Sequence, residues 1–217
     1  MKSDPLVACL TNTVAANFTA NCILALGARP VMIEEVAEVR ELAALADALL
    51  VNLGTLNERQ AEMMRLMVQC VREQGVPWVL DPVGIQALSF RRDFAFELLQ
   101  AKPTIIRGNA AEIAVFLGSV PTGTVVLSTG AVDKVVDNSE VVEVSGGAEM
   151  LKSVTATGCA QGGICAALLG RGLPPREAAL TASRLMKRAG EAAWARAHSP
   201  GSFQVALLDA LWELDHA

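Results

Sequence analysis

The sequence predicts an α/β fold in which a mostly parallel central sheet is flanked by helices. Three observations carry this expectation. Short apolar runs alternate with longer amphipathic stretches, the pattern of repeated βα units. Hydrophobic residues make up 52% of the 217 and aromatics only 4%, so the apolar content is largely Ala, Val and Leu, which suits helices laid on a buried sheet. Polar and glycine residues follow the apolar runs, at Thr11-Asn12, Asn52-Leu53-Gly54-Thr55, Asp81-Pro82-Val83-Gly84, Arg107-Gly108-Asn109 and Ser128-Thr129-Gly130. Ligands of an open α/β sheet bind beyond the carboxyl ends of its strands, so five such loops mark one polar rim.

Taken in order, strands are expected at 6–10, 30–33, 48–53, 78–80, 104–106 and 124–128. Helical patterns lie between them at 14–26, 36–46, 58–73, 94–99 and 110–117. Asn12 or Thr13 can cap the first helix and Asn57 the third. Gly27 and Gly75 stand where helix C-termini are expected. Residues 132–137 and 140–145, separated by Asn138-Ser139, read as a hairpin. Three helices close the chain at 158–169, 175–197 and 203–214, the second opened by Pro174-Pro175. No repeat, low-complexity tract or linker interrupts residues 1–217, which are read as one domain.

Composition excludes several classes of function. A net charge of −5 with no Lys/Arg block argues against nucleic acid or an anionic membrane as partner. Cys9, Cys22, Cys70, Cys159 and Cys165 show no CxxC spacing and the chain has two His, so neither a zinc site nor a disulfide framework is expected. A reducing cytoplasm is the expected compartment. Met1-Lys2-Ser3-Asp4 precedes only a short apolar run, so no signal peptide is expected. No stretch reaches the ~18–20 apolar residues of a membrane span.

The strongest local signal for chemistry is Thr155-Ala156-Thr157-Gly158-Cys159 running into Ala160-Gln161-Gly162-Gly163. Small residues at a helix N-terminus expose free N–H groups, and the helix dipole adds positive potential there. Ala156, Thr157, Gly158 and Cys159 thus form a candidate anion hole for a transferring phosphoryl group. The alternative is a helix packed closely on the sheet, its small residues serving contact alone. Neither a Walker GxxxxGK[ST] nor a Rossmann GxGxxG is present. Asn109 and Glu112, three apart where a helix opens, offer hard oxygen ligands suited to Mg²⁺, with Asp81 as a second carboxylate on the same rim. The same pair suits a capping box, and both roles can coexist. Arg107, placed after an apolar strand, aims a guanidinium at this rim, where it fits phosphate oxygens. Cys159 sits where a thiol pKa is usually lowered, although nearby phosphates would raise it.

These motifs resemble one family. Pro5-Leu6-Val7, Thr11-Asn12, Asn17-Phe18-Thr19-Ala20-Asn21 and Leu24-Ala25-Leu26-Gly27-Ala28-Arg29-Pro30-Val31-Met32 look like the opening of hydroxyethylthiazole kinases. The likeness continues through Asp47 to Leu56, Leu80-Asp81-Pro82-Val83-Gly84, Ile106-Arg107-Gly108-Asn109-Ala110-Ala111-Glu112-Ile113 and Val154-Thr155-Ala156-Thr157-Gly158-Cys159. It ends on Pro200-Gly201-Ser202-Phe203-Gln204 and the helix that follows, so it covers almost the whole chain. The resemblance implies a three-layer ribokinase-like fold, assembled as a homotrimer with active sites between subunits. It implies transfer of the γ-phosphoryl group of ATP, with Mg²⁺, to 4-methyl-5-(2-hydroxyethyl)thiazole, in thiamine biosynthesis. By position it assigns Asn12, Val14 and Met32 to the thiazole and Ala156 to substrate through its backbone amide. Arg107 and Thr129 match nucleotide contacts, and Asp81 and Glu112 match acidic groups serving Mg²⁺ and the phosphates. Cys159 stands where related sugar kinases carry an aspartate base. Val14, Leu24 and Met32 are expected to make the substrate pocket small and apolar.

Some features depart from the family pattern. Residues 118–123 lead almost directly into the strand at 124, where the family carries a loop and a helix. Ala8 stands where histidine is common, and Ala156 where glycine is common. Two other readings follow from these points: another ribokinase-like kinase, such as a hydroxymethylpyrimidine kinase, or a catalytically silent trimeric binding protein.

Overall fold

The computed structural model describes residues 2–138 and 140–216. Eight strands form one sheet: β1 (Leu6–Leu10), β2 (Arg29–Met32), β3 (Ala48–Asn52), β4 (Trp78–Asp81), β5 (Ile105–Asn109), β6 (Val125–Thr129), β7 (Asp133–Asp137) and β8 (Glu140–Val144). The helices are α1 (Ala16–Ala25), α2 (Val39–Leu45), α3 (Glu58–Glu73), α4 (Ser89–Leu99), α5 (Ala110–Val115), α6 (Thr157–Gly170), α7 (Pro175–Trp194) and α8 (Pro200–His216). The sheet order is β2-β1-β3-β4-β5-β6-β7-β8, parallel from β2 to β6 and antiparallel at β7 and β8.

The period-2 geometry of a strand divides each central strand between two cores. Val7, Cys9, Leu50, Val79 and Leu127 face one cluster with residues of α1, α6, α7 and α8. Ala8, Leu10, Leu49, Val51, Leu80 and Ile106 face a second with residues of α2, α3 and α4. Burial on both faces explains the near-continuous apolar runs of β1 and β3. The result is three layers, helices on a sheet on helices, with the strand ends left free to build a rim.

Local chemistry sets the boundaries. Asn57 caps α3 in a capping box with Gln60, and Gly27 and Gly75 end α1 and α3 with φ of +65° and +72°. Four expectations are corrected. The first helix begins at Ala16 and its N-cap is Ala15; Asn12 instead turns the preceding loop, its Oδ1 accepting from Ala15 N at 2.9 Å. The pattern at 36–46 splits into a 3₁₀ turn, Val36–Glu38, and α2. The fourth helix starts five residues early, at Ser89, because Leu88 before it offers no capping side chain to read. β5 runs on through Asn109, since Arg107, Gly108 and Asn109 pair with Leu127, Ser128 and Thr129 of β6. The hairpin forms as expected, turning at Asn138; Ser139 lies outside the described residues. Among the described residues, no helix is long and apolar enough to cross a membrane.

Candidate active site

α6 brings the halves of the rim together. It packs against both α1 and the sheet, and its glycines permit the approach: a Cβ at Gly163 would stand 2.8 Å from Thr19 Cγ2. The close-contact role of its small residues is therefore real for the middle of the helix. At its N-terminus they open onto the rim. Ala156, the N-cap, is held at φ +69° and ψ 0°, the left-handed conformation that glycine adopts more cheaply. Thr157 Oγ1 donates to Leu151 O at 3.0 Å and anchors the first turn. Helix geometry leaves the N–H groups of Thr157, Gly158 and Cys159 without intrahelical partners.

A line of polar side chains crosses the rim beneath this turn. Asn12 Nδ2 stands 3.5 Å from Cys159 Sγ and donates to Asn52 Oδ1 at 2.8 Å. Asn52 Nδ2 donates to Asp81 Oδ2. Asp81 Oδ1 lies 3.6 Å from Arg107 Nη1, and Arg107 Nη2 donates to Thr129 Oγ1 at 3.0 Å. The parallel register produces this line, because Asn52 pairs with Asp81 and Asn109 with Thr129 at the carboxyl ends of β3 to β6. The sequence places Asn52 in the expected strand 48–53 and on the polar rim, but assigns it no role in the site. Here it is wholly buried and joins the two halves, with its Oδ1 also accepting from Gly54 N at 2.9 Å. A polar residue ending a continuous apolar strand run was the signal that could have found it.

Arg107, Thr129, Thr157 and Gly158 border a cavity of about 240 Å³ that also reaches Gln161 and Lys187. A second cavity of about 220 Å³ lies beside Thr11, Met32 and Met63. Of the three residues expected to make an apolar pocket, only Met32 borders it. Val14 and Leu24 are 62% and 54% exposed, so within one chain they close nothing.

Two titrating groups on this line are shifted strongly. Burial pushes the Asp81 carboxyl up to about 6; Arg107 opposes this and Glu112 adds to it. Burial first and the Asp81 charge second push the Cys159 thiol up to about 11, so it is protonated at neutral pH. The lowering expected at a helix N-terminus is outweighed.

The hydrogen bonds of the acidic groups decide which of them are free to hold Mg²⁺. Glu112 is buried, and its Oε1 and Oε2 accept one N–H each, from Gly84 at 3.0 Å and Asn109 at 2.8 Å, which leaves acceptor capacity on both. Asp81 Oδ1 has no hydrogen-bond partner among the described residues. These two hard oxygen donors fit the ion. Asn109 does not fit in this arrangement: its Oδ1 accepts from both Ala111 N and Glu112 N, which occupies the carbonyl's two lone pairs. It caps α5 and orients Glu112.

The profile of the hydroxyethylthiazole kinase family matches residues 1–123 and 119–217. A hydroxyethylthiazole kinase of Escherichia coli (strain SMS-3-5 / SECEC) is 42% identical over 237 positions, covering 98% of this chain and 90% of that one. One from Shigella boydii serotype 18 is 42% identical, covering 97% and 90%. The solved structure of the hydroxyethylthiazole kinase protein from Pyrococcus horikoshii OT3 superposes with a TM-score of 0.91 at 37% identity, covering 96% of this chain and 88% of that one. Staphylococcus aureus pyridoxal kinase, solved with AMP-PCP, shares the fold at a TM-score of 0.67 and 13% identity, covering 88% and 89%. The alignment to the E. coli relative is longer than the 217 residues of the chain, and the family match divides at 119–123. The segment shortened here falls at that division.

Proposed function

The chain belongs to the hydroxyethylthiazole kinase family, and from that premise we propose that it phosphorylates the hydroxyethyl oxygen of 4-methyl-5-(2-hydroxyethyl)thiazole with ATP. The observation that carries this reading is the convergence of the Asn12–Cys159 pair and the Arg107–Thr129 pair at one helix N-terminus. An acceptor hydroxyl beside Cys159 and a phosphate beside Arg107 meet under the free N–H groups of Thr157, Gly158 and Cys159.

Phosphoryl transfer passes through a loose transition state, so positioning and charge stabilisation dominate. The α6 N–H groups and the Arg107 guanidinium stabilise the negative charge on the transferring group. Thr129 fixes the guanidinium by accepting its hydrogen bond. Asp81 and Glu112 are the residues that would hold Mg²⁺, which neutralises phosphate charge when bound. Cys159 keeps its proton at neutral pH and orients the acceptor hydroxyl together with Asn12, and the late-leaving hydroxyl proton needs little help from a base. Ala156 offers its backbone amide to the substrate, and Met32 its side chain to the ring.

We further infer a homotrimer. The family likeness implies this assembly and sets Val14 against the thiazole; that Val14 is exposed in one chain supports a wall supplied by another subunit. Mass spectrometry of the product tests the function. One phosphoryl group added to the thiazole alcohol supports it. Conversion of hydroxymethylpyrimidine alone would keep the kinase and replace the acceptor.

A further inference from the structure

We propose that Lys187 is a positioning residue for ATP: together with Asp133, its ammonium group fixes the loop that starts at Gly130, directly after Thr129 at the end of β6. The inference rests on the kinase reading of the site. α7 lies across β6, β7 and β8 and carries Lys187 nearly buried, 6% exposed. Its Nζ donates to Ala131 O and Gly146 O at 3.1 Å each and to Gly130 O at 3.4 Å, and it stands 3.4 Å from Asp133 Oδ1. Asp133, 4% exposed, accepts from Gly130 N at 3.0 Å through Oδ1, and through Oδ2 from Ser183 Oγ at 2.8 Å and Gln161 Nε2 at 3.5 Å.

The pair thus joins four parts of the chain: the loop after β6, the loop after β8, α6 through Gln161, and α7. Gly147, at φ +92°, lets the second loop pass so close that a Cβ there would meet Lys187 Cγ at 3.4 Å. Removing two opposite charges from water is costly, and a well-packed apolar pair is often as stable. Stability is therefore a poor reason for this arrangement, whereas its location gives a better one. Lys187 and Asp133 line the same cavity as Arg107, Thr129 and Gly158. The three ammonium protons are shared among four protein acceptors, so none is left for a phosphate oxygen. Lys187 acts through the backbone it holds, which directly follows Thr129, the residue that steadies Arg107.

The test measures ATP affinity by calorimetry with Mg²⁺ and no acceptor, alongside KM for both substrates. Lys187→Met is expected to weaken ATP binding about ten-fold, the loss of one charged hydrogen-bond set, with KM for the thiazole unchanged. Lys187→Ala leaves the space of Cγ to Nζ, and propylammonium, but not sodium at equal ionic strength, is expected to restore ATP affinity. Lower melting temperature with unchanged ATP affinity would overturn the proposal. Should neither variant fold, Ser183→Ala keeps the ammonium and removes one donor to Asp133; about a two- to three-fold loss of ATP affinity is expected, and no change would overturn it. Because no acceptor is present, a wild-type chain that binds ATP but phosphorylates no thiazole would overturn the acceptor reading alone.

Discussion

The Arg107 guanidinium lies directly over Gly158, so that a Cβ at residue 158 would stand 2.7 Å from both Nη1 and Nη2. The clash would fall on the far end of a long side chain, which can swing away with little disturbance of the fold. Gly158→Ala should therefore leave the thermal unfolding midpoint within a few degrees. It should lower turnover about a hundred-fold, the usual consequence of misplacing a charge-stabilising group by an ångström. Loss of turnover matched by loss of folded protein would contradict this.

Cys159 is protonated at neutral pH because burial and Asp81 hold its pKa near 11. An acid with a raised pKa stays neutral until pH approaches that value. Iodoacetamide should label Cys159 slowly at pH 8 and faster only as pH nears 10, read by peptide mass spectrometry. Cys159→Ser should slow turnover modestly, by roughly ten-fold or less, below the ~10²–10⁴-fold that a positioned general base contributes. Complete loss of turnover with normal substrate binding would make the thiol indispensable and reverse the ranking of effects.

How much of this was legible beforehand differs by link. The strand order of chemistry was readable, because Asp81 and Arg107 each end an apolar run and the parallel sheet places such ends on one rim. The α3 cap at Asn57 was readable because a capping box is a local code. Asn52 was not assigned, since its role depends on which strand lies beside β3, and register is not written locally. The direction of the Cys159 shift stays open in the sequence for the same reason: the dipole is visible there, whereas burial and the Asp81 charge appear only after folding. Asn109 satisfied two local patterns, and the hydrogen bonds decide for the cap.

Asp81 makes stability depend on pH. Its folded pKa of about 6 exceeds the ordinary value of 3.8, so the folded chain holds the proton more tightly than the unfolded one. That stabilisation is fully present below the unfolded value and is lost as pH rises through 6. Asp81→Asn mimics the protonated form. It should be more stable than the parent at pH 8 by on the order of 3 kcal/mol, the two converging near pH 4. Urea titrations across this range decide it; a parent chain more stable than the variant at pH 8 would mean that Arg107 outweighs burial.

Asn52→Ala removes the partner of Gly54 N, Asn12 Nδ2 and Asp81 at once. Buried groups left unpaired cost about 1–3 kcal/mol each, so a loss of about 3 kcal/mol in urea unfolding is expected. Turnover of the fraction that remains folded should also fall, because Asn12 and Asp81 lose their common tie. An unchanged unfolding midpoint would remove Asn52 from the account.

The central claim is that this chain, shortened near 118–123, still phosphorylates a thiazole alcohol. Leu117 beside that segment is 78% exposed, while Arg107, Thr129 and the α6 N-terminus keep their mutual hydrogen bonds and close approach. ADP release measured with ATP and Mg²⁺, using hydroxyethylthiazole and hydroxymethylpyrimidine as parallel acceptors, tests it most directly. The account predicts release with the thiazole and none above background with the pyrimidine. Silence with both acceptors, from folded protein that still binds the thiazole, would contradict it.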